Sequence, residues 1–214
     1  MHYSIKNISL IEEELKSINQ KIPSIIAVSK TFPSSDILPL VKSGHIHFGE
    51  NKLQEAIEKW PLIKKDFDKV NLHLIGKLQT NKVKFVLPLF DYIHSLDNEK
   101  LAKKISEEQK KHKKKPKLFI QVNIGEEVQK NGISKKNLRD FHIFCKDLNL
   151  DVIGLMCIPP NNTESKLFFE EMNNLKNELN MIELSMGMSA DYIEATKNSS
   201  TFLRIGSKIF GSRS

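Results

Sequence analysis

The chain has 214 residues, 39% of them hydrophobic and 28% charged, with a formal net charge of +7. That length can bury a sizeable core, and the balance is that of an ordinary globular domain. No apolar run approaches the roughly 20 residues of a membrane-crossing helix, and the acid-containing N-terminus carries no apolar signal core, so a cytoplasmic protein without a membrane anchor is expected.

A helix is predicted over residues 3–19, where Ile5, Ile8, Ile11, Leu15 and Ile18 recur at helical spacing. A repeating pattern follows: a short apolar run, a polar turn, then a helical stretch. The apolar runs are 24–30, 45–50, 71–76, 92–96, 117–124, 150–157, 182–188 and 202–210. Each is rich in Ile, Val, Leu or Phe, as strands buried on both faces of a parallel sheet should be. Helices are expected at 35–43, 52–65, 80–88, 97–111, 135–148, 164–179 and 190–196. Asn51, Asp97, Ser134 and Ser189 are placed as caps of the helices that follow them.

About eight strands alternating with helices predict a single-domain (β/α)8 barrel over residues 1–214. The N-terminal helix covers the position of the last helix, which the chain has no length left to form. An open doubly wound sheet is the second choice.

Barrel chemistry sits on the loops after the strands. The first strand closes on Ala27-Val28-Ser29-Lys30-Thr31, with Ile26, Val28 and Lys30 on one side by alternation. If that side faces inward, the amine lies at the mouth, where partial desolvation makes it a nucleophile toward aldehydes; a lysine reaching out to water is the alternative. After the second strand, Gly49 permits close backbone approach and Asn51 can cap a helix or touch a ligand. The last two strands end in Gly187-Met188-Ser189 and Arg204-Ile205-Gly206-Ser207. Loops after strands seven and eight often bind phosphate, with glycine, serine hydroxyls and open N–H groups as donors. Arg204 inside an apolar strand needs either a carboxylate, such as Glu183 or Asp191, or a ligand. His73 sits in mid-strand and reads best as a hydrogen-bonded structural residue. His45 and His47 lie in the second apolar run and His94 in the fourth, without carboxylates at metal-ligand spacing, so no metal site is expected. Cys145 and Cys157 read as reduced thiols. The basic run from Lys110 to Lys115, broken by His112, reads as a solvated turn, and no nucleic-acid binding is expected.

The segments AVSKTFP (27–33), HFGENKLQE (47–55), LHLIGKLQTNK (72–82), VNIGEEVQKNGI (122–133), GLMCIPP (154–160), SMGMSADYIEA (185–195) and RIGSKIFG (204–211) resemble the pyridoxal 5'-phosphate (PLP) homeostasis proteins of the YggS/PROSC type. That family is similar to the N-terminal barrel of alanine racemases. The resemblance implies that Lys30 holds PLP covalently as a Schiff base. It implies that Ser189, Gly206 and Ser207 hold the phosphate, that Arg204 meets the pyridine nitrogen and that Asn51 lies near the ring. Lys130 matches a lysine often present near the family's site, and His73 is a further candidate contact. Ser207 stands where threonine is common, Lys77 where proline is common, and Ala190 where an acidic residue is frequent.

The function implied is a carrier that buffers PLP and supplies it to apo-enzymes, with effects on amino- and keto-acid pools, acting as a monomer. The alternative is a PLP-dependent amino-acid racemase. Two-base racemisation needs a second acid or base opposite Lys30, and none of Tyr3, Tyr92 and Tyr192 stands out for that role, so little or no turnover is expected.

Overall fold

The computed structural model describes residues 2–18, 21–160 and 164–211. Eight parallel strands close into a barrel in chain order: β1 (Ser24–Val28), β2 (His47–Glu50), β3 (Asn71–Leu74), β4 (Tyr92–Leu96), β5 (Lys117–Val122), β6 (Val152–Cys157), β7 (Glu183–Ser185) and β8 (Phe202–Ile205). The ring is sealed by β8 against β1, with Ser24 opposite Phe202 and Ile26 opposite Arg204. The helices are α1 (Tyr3–Lys16), α2 (Ser34–Lys42), α3 (Leu53–Asp66), α4 (Val83–Leu89), α5 (Glu99–His112), α6 (Leu138–Asp147), α7 (Ser165–Glu178), α8 (Tyr192–Lys197) and α9 (Ser207–Phe210).

The alternation of each strand divides its side chains between two cores. Ala27, Phe48, Leu72 and Ile93 face the helices and pack with Trp60, Leu101 and Phe169. Ile26, Tyr92, Phe119, Met156 and Phe202 point into the barrel. Helix α1 buries Ile8, Ile11 and Leu15. It packs against α2 and α9, and Asn7 Nδ2 donates to Ile209 O at 3.0 Å. The N-terminal helix thus closes the gap at the end of the ring; Asn19, the last residue of its expected span, lies outside the described residues.

Several strand and helix boundaries differ from the sequence reading. The last strand stops at Ile205, and the apolar pair Ile209 and Phe210 belongs to α9, buried against α1 and the Phe32 ring. A short apolar run does not by itself distinguish strand from helix. The first strand stops at Val28, which leaves Lys30 in the turn beyond it. Asp97 does not cap α5: the Asn98 side chain accepts from Leu101 N at 2.9 Å, and Asp97 accepts from Asn98 instead. The basic run ends α5 and turns at Lys113, with Lys111 and His112 against Glu108 and Lys114 against Asp91.

Candidate functional site

A cavity of about 360 Å³ opens at the carboxyl ends of the strands, within the range of small-molecule sites. Its wall is drawn from the turns after six strands, with Val28 of β1 and Arg204 of β8. Val28, Lys30 and Phe32 come from the first, Asn51 from the second, Ile75 from the third and Ile158 from the sixth. Met188, Ser189 and Ala190 follow β7, Arg204 lies on β8, and Gly206, Ser207 and Gly211 follow it. Six residues singled out in the sequence therefore share one cavity: Lys30, Asn51, Ser189, Arg204, Gly206 and Ser207.

Lys30 owes its place to a buried charged network behind the turn. Thr31 adopts a left-handed backbone with φ of 71°, which is costly for a β-branched residue and needs support from its surroundings. Its N–H donates to the Glu55 carboxylate. Lys59 Nζ donates to Ser29 O at 3.0 Å and Phe32 O at 3.2 Å, and pairs with Glu50 and Glu55 at 2.8 Å each. Glu50 is fully buried and also accepts from Ser29 Oγ and Trp60 Nε1. Burial pushes the Glu50 carboxyl above its ordinary value, against the opposing pull of Lys59, Trp60 and Ser29.

Asn51 does not cap the next helix; Lys52 occupies that position. Its Oδ1 is buried at the cavity wall with no hydrogen-bond partner among the described residues. Gly76 holds the Asn51 backbone by close approach, since a Cβ at Gly76 would lie 2.2 Å from Asn51 O. Ser189 is likewise not the cap of α8; Asp191 takes that place and its carboxylate turns back to accept from Met188 N at 2.7 Å. Ser189 Oγ instead accepts from Lys208 N at 3.5 Å, linking the turns after β7 and β8. Gly187, with φ of 89°, permits this path: a Cβ there would sit 2.5 Å from the Ala195 Cβ. Tyr192 OH donates to Glu14 and accepts from Lys208 Nζ, so α1 braces both turns from behind.

Arg204 is 5% exposed. Neither Glu183 nor Asp191 forms an ion pair with it; Nη1 donates to Ser185 Oγ at 2.7 Å and Nη2 to Cys157 O at 2.8 Å. Burial lowers its pKa from the ordinary guanidinium value, yet guanidinium keeps its proton in proteins, so it stands at the cavity as a fixed cationic donor. The Cys157 thiol is pushed up to about 12 by burial and is inert as a nucleophile; its carbonyl is the useful group.

Two candidates lie elsewhere. His73 is fully buried in the barrel interior, between His47 and His94, and does not line the cavity. Lys130 pairs with Glu127 and donates to Pro159 O at 3.3 Å, one residue from the cavity-lining Ile158. Ser185, Glu50 and Lys59 carry functional contacts that sequence reasoning missed. No group of His, Cys, Asp or Glu able to hold a metal occurs among the described residues.

A parallel barrel with a lysine, two serine-bearing turns and a buried arginine around its mouth defines the class of alanine racemase-like barrels. The family model described as alanine racemase, N-terminal domain, matches residues 7–214. The pyridoxal phosphate homeostasis protein of Aquifex aeolicus is 36% identical over 199 residues, covering 88% of this chain and 86% of its own length. PipY of Synechococcus elongatus PCC7942, solved without PLP, superposes with a TM-score of 0.90 at 31% identity over 98% of this chain and all of that one. Its PLP-bound structure gives 0.84 at 33% identity over 94% of this chain and all of that one. The chain belongs to the pyridoxal phosphate homeostasis protein family.

Proposed function

We propose that this protein holds PLP in the cavity at the barrel mouth, attached to Lys30 as a Schiff base, and buffers it for delivery to apo-enzymes. The observation that carries the reading is the meeting of six sequence-singled residues on one cavity, in a fold shared with PLP-bound PipY. The wall fits the group. Lys30 supplies an amine, Ser189 and Ser207 supply hydroxyls for a phosphate, Arg204 supplies a cationic donor for a ring nitrogen, and the orphaned Asn51 Oδ1 supplies an acceptor.

Bound PLP supplies an aldehyde carbon that exchanges reversibly between amines. The chain's own residues favour storage over turnover. Arg204 cannot pass its proton to the pyridine nitrogen, so the ring remains a poor electron sink. Lys30 is aimed by a rigid turn, and the two serine turns are braced by α1 through Tyr192 and Lys208. We further infer a monomer acting in the cytoplasm, with apo-enzymes as transient partners.

The test is a visible spectrum of the PLP-loaded protein beside Lys30→Ala, followed by transfer of PLP to a defined apo-enzyme. The reading requires a band that Lys30→Ala lacks and a recovery of apo-enzyme activity. A loaded protein that never reactivates the apo-enzyme overturns the delivery role.

A further inference from the structure

Barrel interiors of this class are normally filled by layers of apolar side chains. Here a column of polar groups runs through the interior, away from the cavity. Arg204 Nη1 donates to Ser185 Oγ at 2.7 Å, and Ser185 Oγ meets His94 Nδ1 at 2.9 Å. His94 Nε2 meets His73 Nδ1 at 3.0 Å, and His73 Nε2 meets His47 Nδ1 at 2.9 Å. Ser185, His94 and His73 are fully buried, while His47, at the start of β2, is half-buried at the opposite end of the barrel. The rings are held by stacking, His73 on Tyr92 at 4.1 Å and His94 on Phe119 at 4.3 Å.

Burial holds His73 and His94 well below 6.5, so both are neutral. A neutral imidazole has one donor and one acceptor nitrogen. The column therefore has a single sense at a time, from Ser185 toward His47 or the reverse. Ser185 either gives its proton to His94 or accepts from both His94 and Arg204. The other charged or titratable groups facing the column are His45, Lys64, Lys117 and Tyr92 around its histidines, and Cys157 and Asp191 beside Arg204. Apolar filling would be simpler to fold, because each of these groups needs its partner to offset the cost of burial.

We propose that Ser185 and the imidazole column behind it are positioning groups for the cofactor ring: they lock Arg204 in place and set the charge density it presents to the cavity. This rests on the reading that PLP occupies that cavity. Ser185 and the histidines do not line the cavity; they act through Arg204.

The experiment uses PLP-loaded Ser185→Ala, His47→Ala and Phe202→Leu, each read by absorption maximum, by the pH midpoint of the visible band and by the rate of PLP release. Ser185→Ala is expected to keep PLP on Lys30, to release it about tenfold faster and to move the midpoint. His47→Ala moves the midpoint the same way by less. Phe202→Leu, which removes ring contacts and no hydrogen bond of the column, leaves it in place. A Ser185→Ala protein identical to wild type in midpoint and release rate overturns the proposal, and so does a Phe202→Leu shift as large as that of Ser185→Ala. If Ser185→Ala does not fold, His47→Ala decides: a midpoint unchanged from wild type overturns the column. A wild-type band that survives Lys30→Ala shows instead that the attachment reading has failed.

Discussion

Lys59→Met removes the cation that pairs with the fully buried Glu50 carboxylate. The Lys59 side chain is 10% exposed and that of Glu50 is 0% exposed, at a separation of 2.8 Å, so solvent can do little to replace it. After the substitution Glu50 keeps Ser29 and Trp60 as donors, and Oε2 already has no hydrogen-bond partner among the described residues. Breaking a buried ion pair from one side costs about 3–5 kcal/mol. At about 2–4 °C per kcal/mol for a chain of this size, the melting temperature falls by roughly 6–20 °C. The cost depends on pH in a definite direction. Burial already raises the Glu50 carboxyl above 4.5 in the folded protein, and losing Lys59 raises it further. A carboxyl with a raised folded pKa destabilises increasingly as pH rises from its unfolded value to its folded one. The deficit of Lys59→Met is therefore largest near neutral pH and shrinks on acidification toward the ordinary carboxylate range as Glu50 becomes protonated. Melts of both proteins across that range measure it. A variant within about 2 °C of wild type near neutral pH refutes the network's importance, and a deficit that grows on acidification refutes the role of Glu50 charge.

Three further outcomes are expected. Gly187→Ala places a side chain at φ of 89° and 2.5 Å from the Ala195 Cβ; it costs about 1–3 kcal/mol in a urea melt, and a neutral result would show that the turn relaxes freely. Ser189→Ala and Ser207→Ala each weaken PLP retention about tenfold while leaving retention of pyridoxal, which lacks the phosphate, unchanged; equal loss of both ligands would place the serines away from the phosphate. Purified holo-protein turns over neither alanine enantiomer at a useful rate in a coupled chiral assay, because Tyr192 is engaged with Glu14 and Lys208 and Tyr92 lies in the barrel interior; brisk racemisation would favour the enzyme reading.

The strands were legible because each is a short apolar run between polar turns, and a run buried on both faces has little else to be. Their ends were less so. Ile209 and Phe210 extended the eighth strand on paper because hydrophobicity does not record that Gly206 turns the chain into α9. Caps were misplaced by one or two residues at Asn51, Asp97 and Ser189, since neighbouring Lys52, Asn98 and Asp191 take those positions. The cavity residues were legible through their places at strand ends. What supports them was not. Ser185 reaches Arg204 across neighbouring strands, and the Cys157 contact uses a backbone carbonyl that no residue type announces. Glu50 carried a usable signal: it lies two residues from Phe48 and so shares its helix-facing side, where a carboxylate needs a partner from α3.

The most direct measurement is peptide mapping by mass spectrometry after borohydride reduction of the PLP-loaded protein. A reduced pyridoxyl phosphate adduct confined to Lys30 is the expected result. An adduct on a different lysine, or intact protein with no adduct at all, would contradict the attachment on which the proposed function rests.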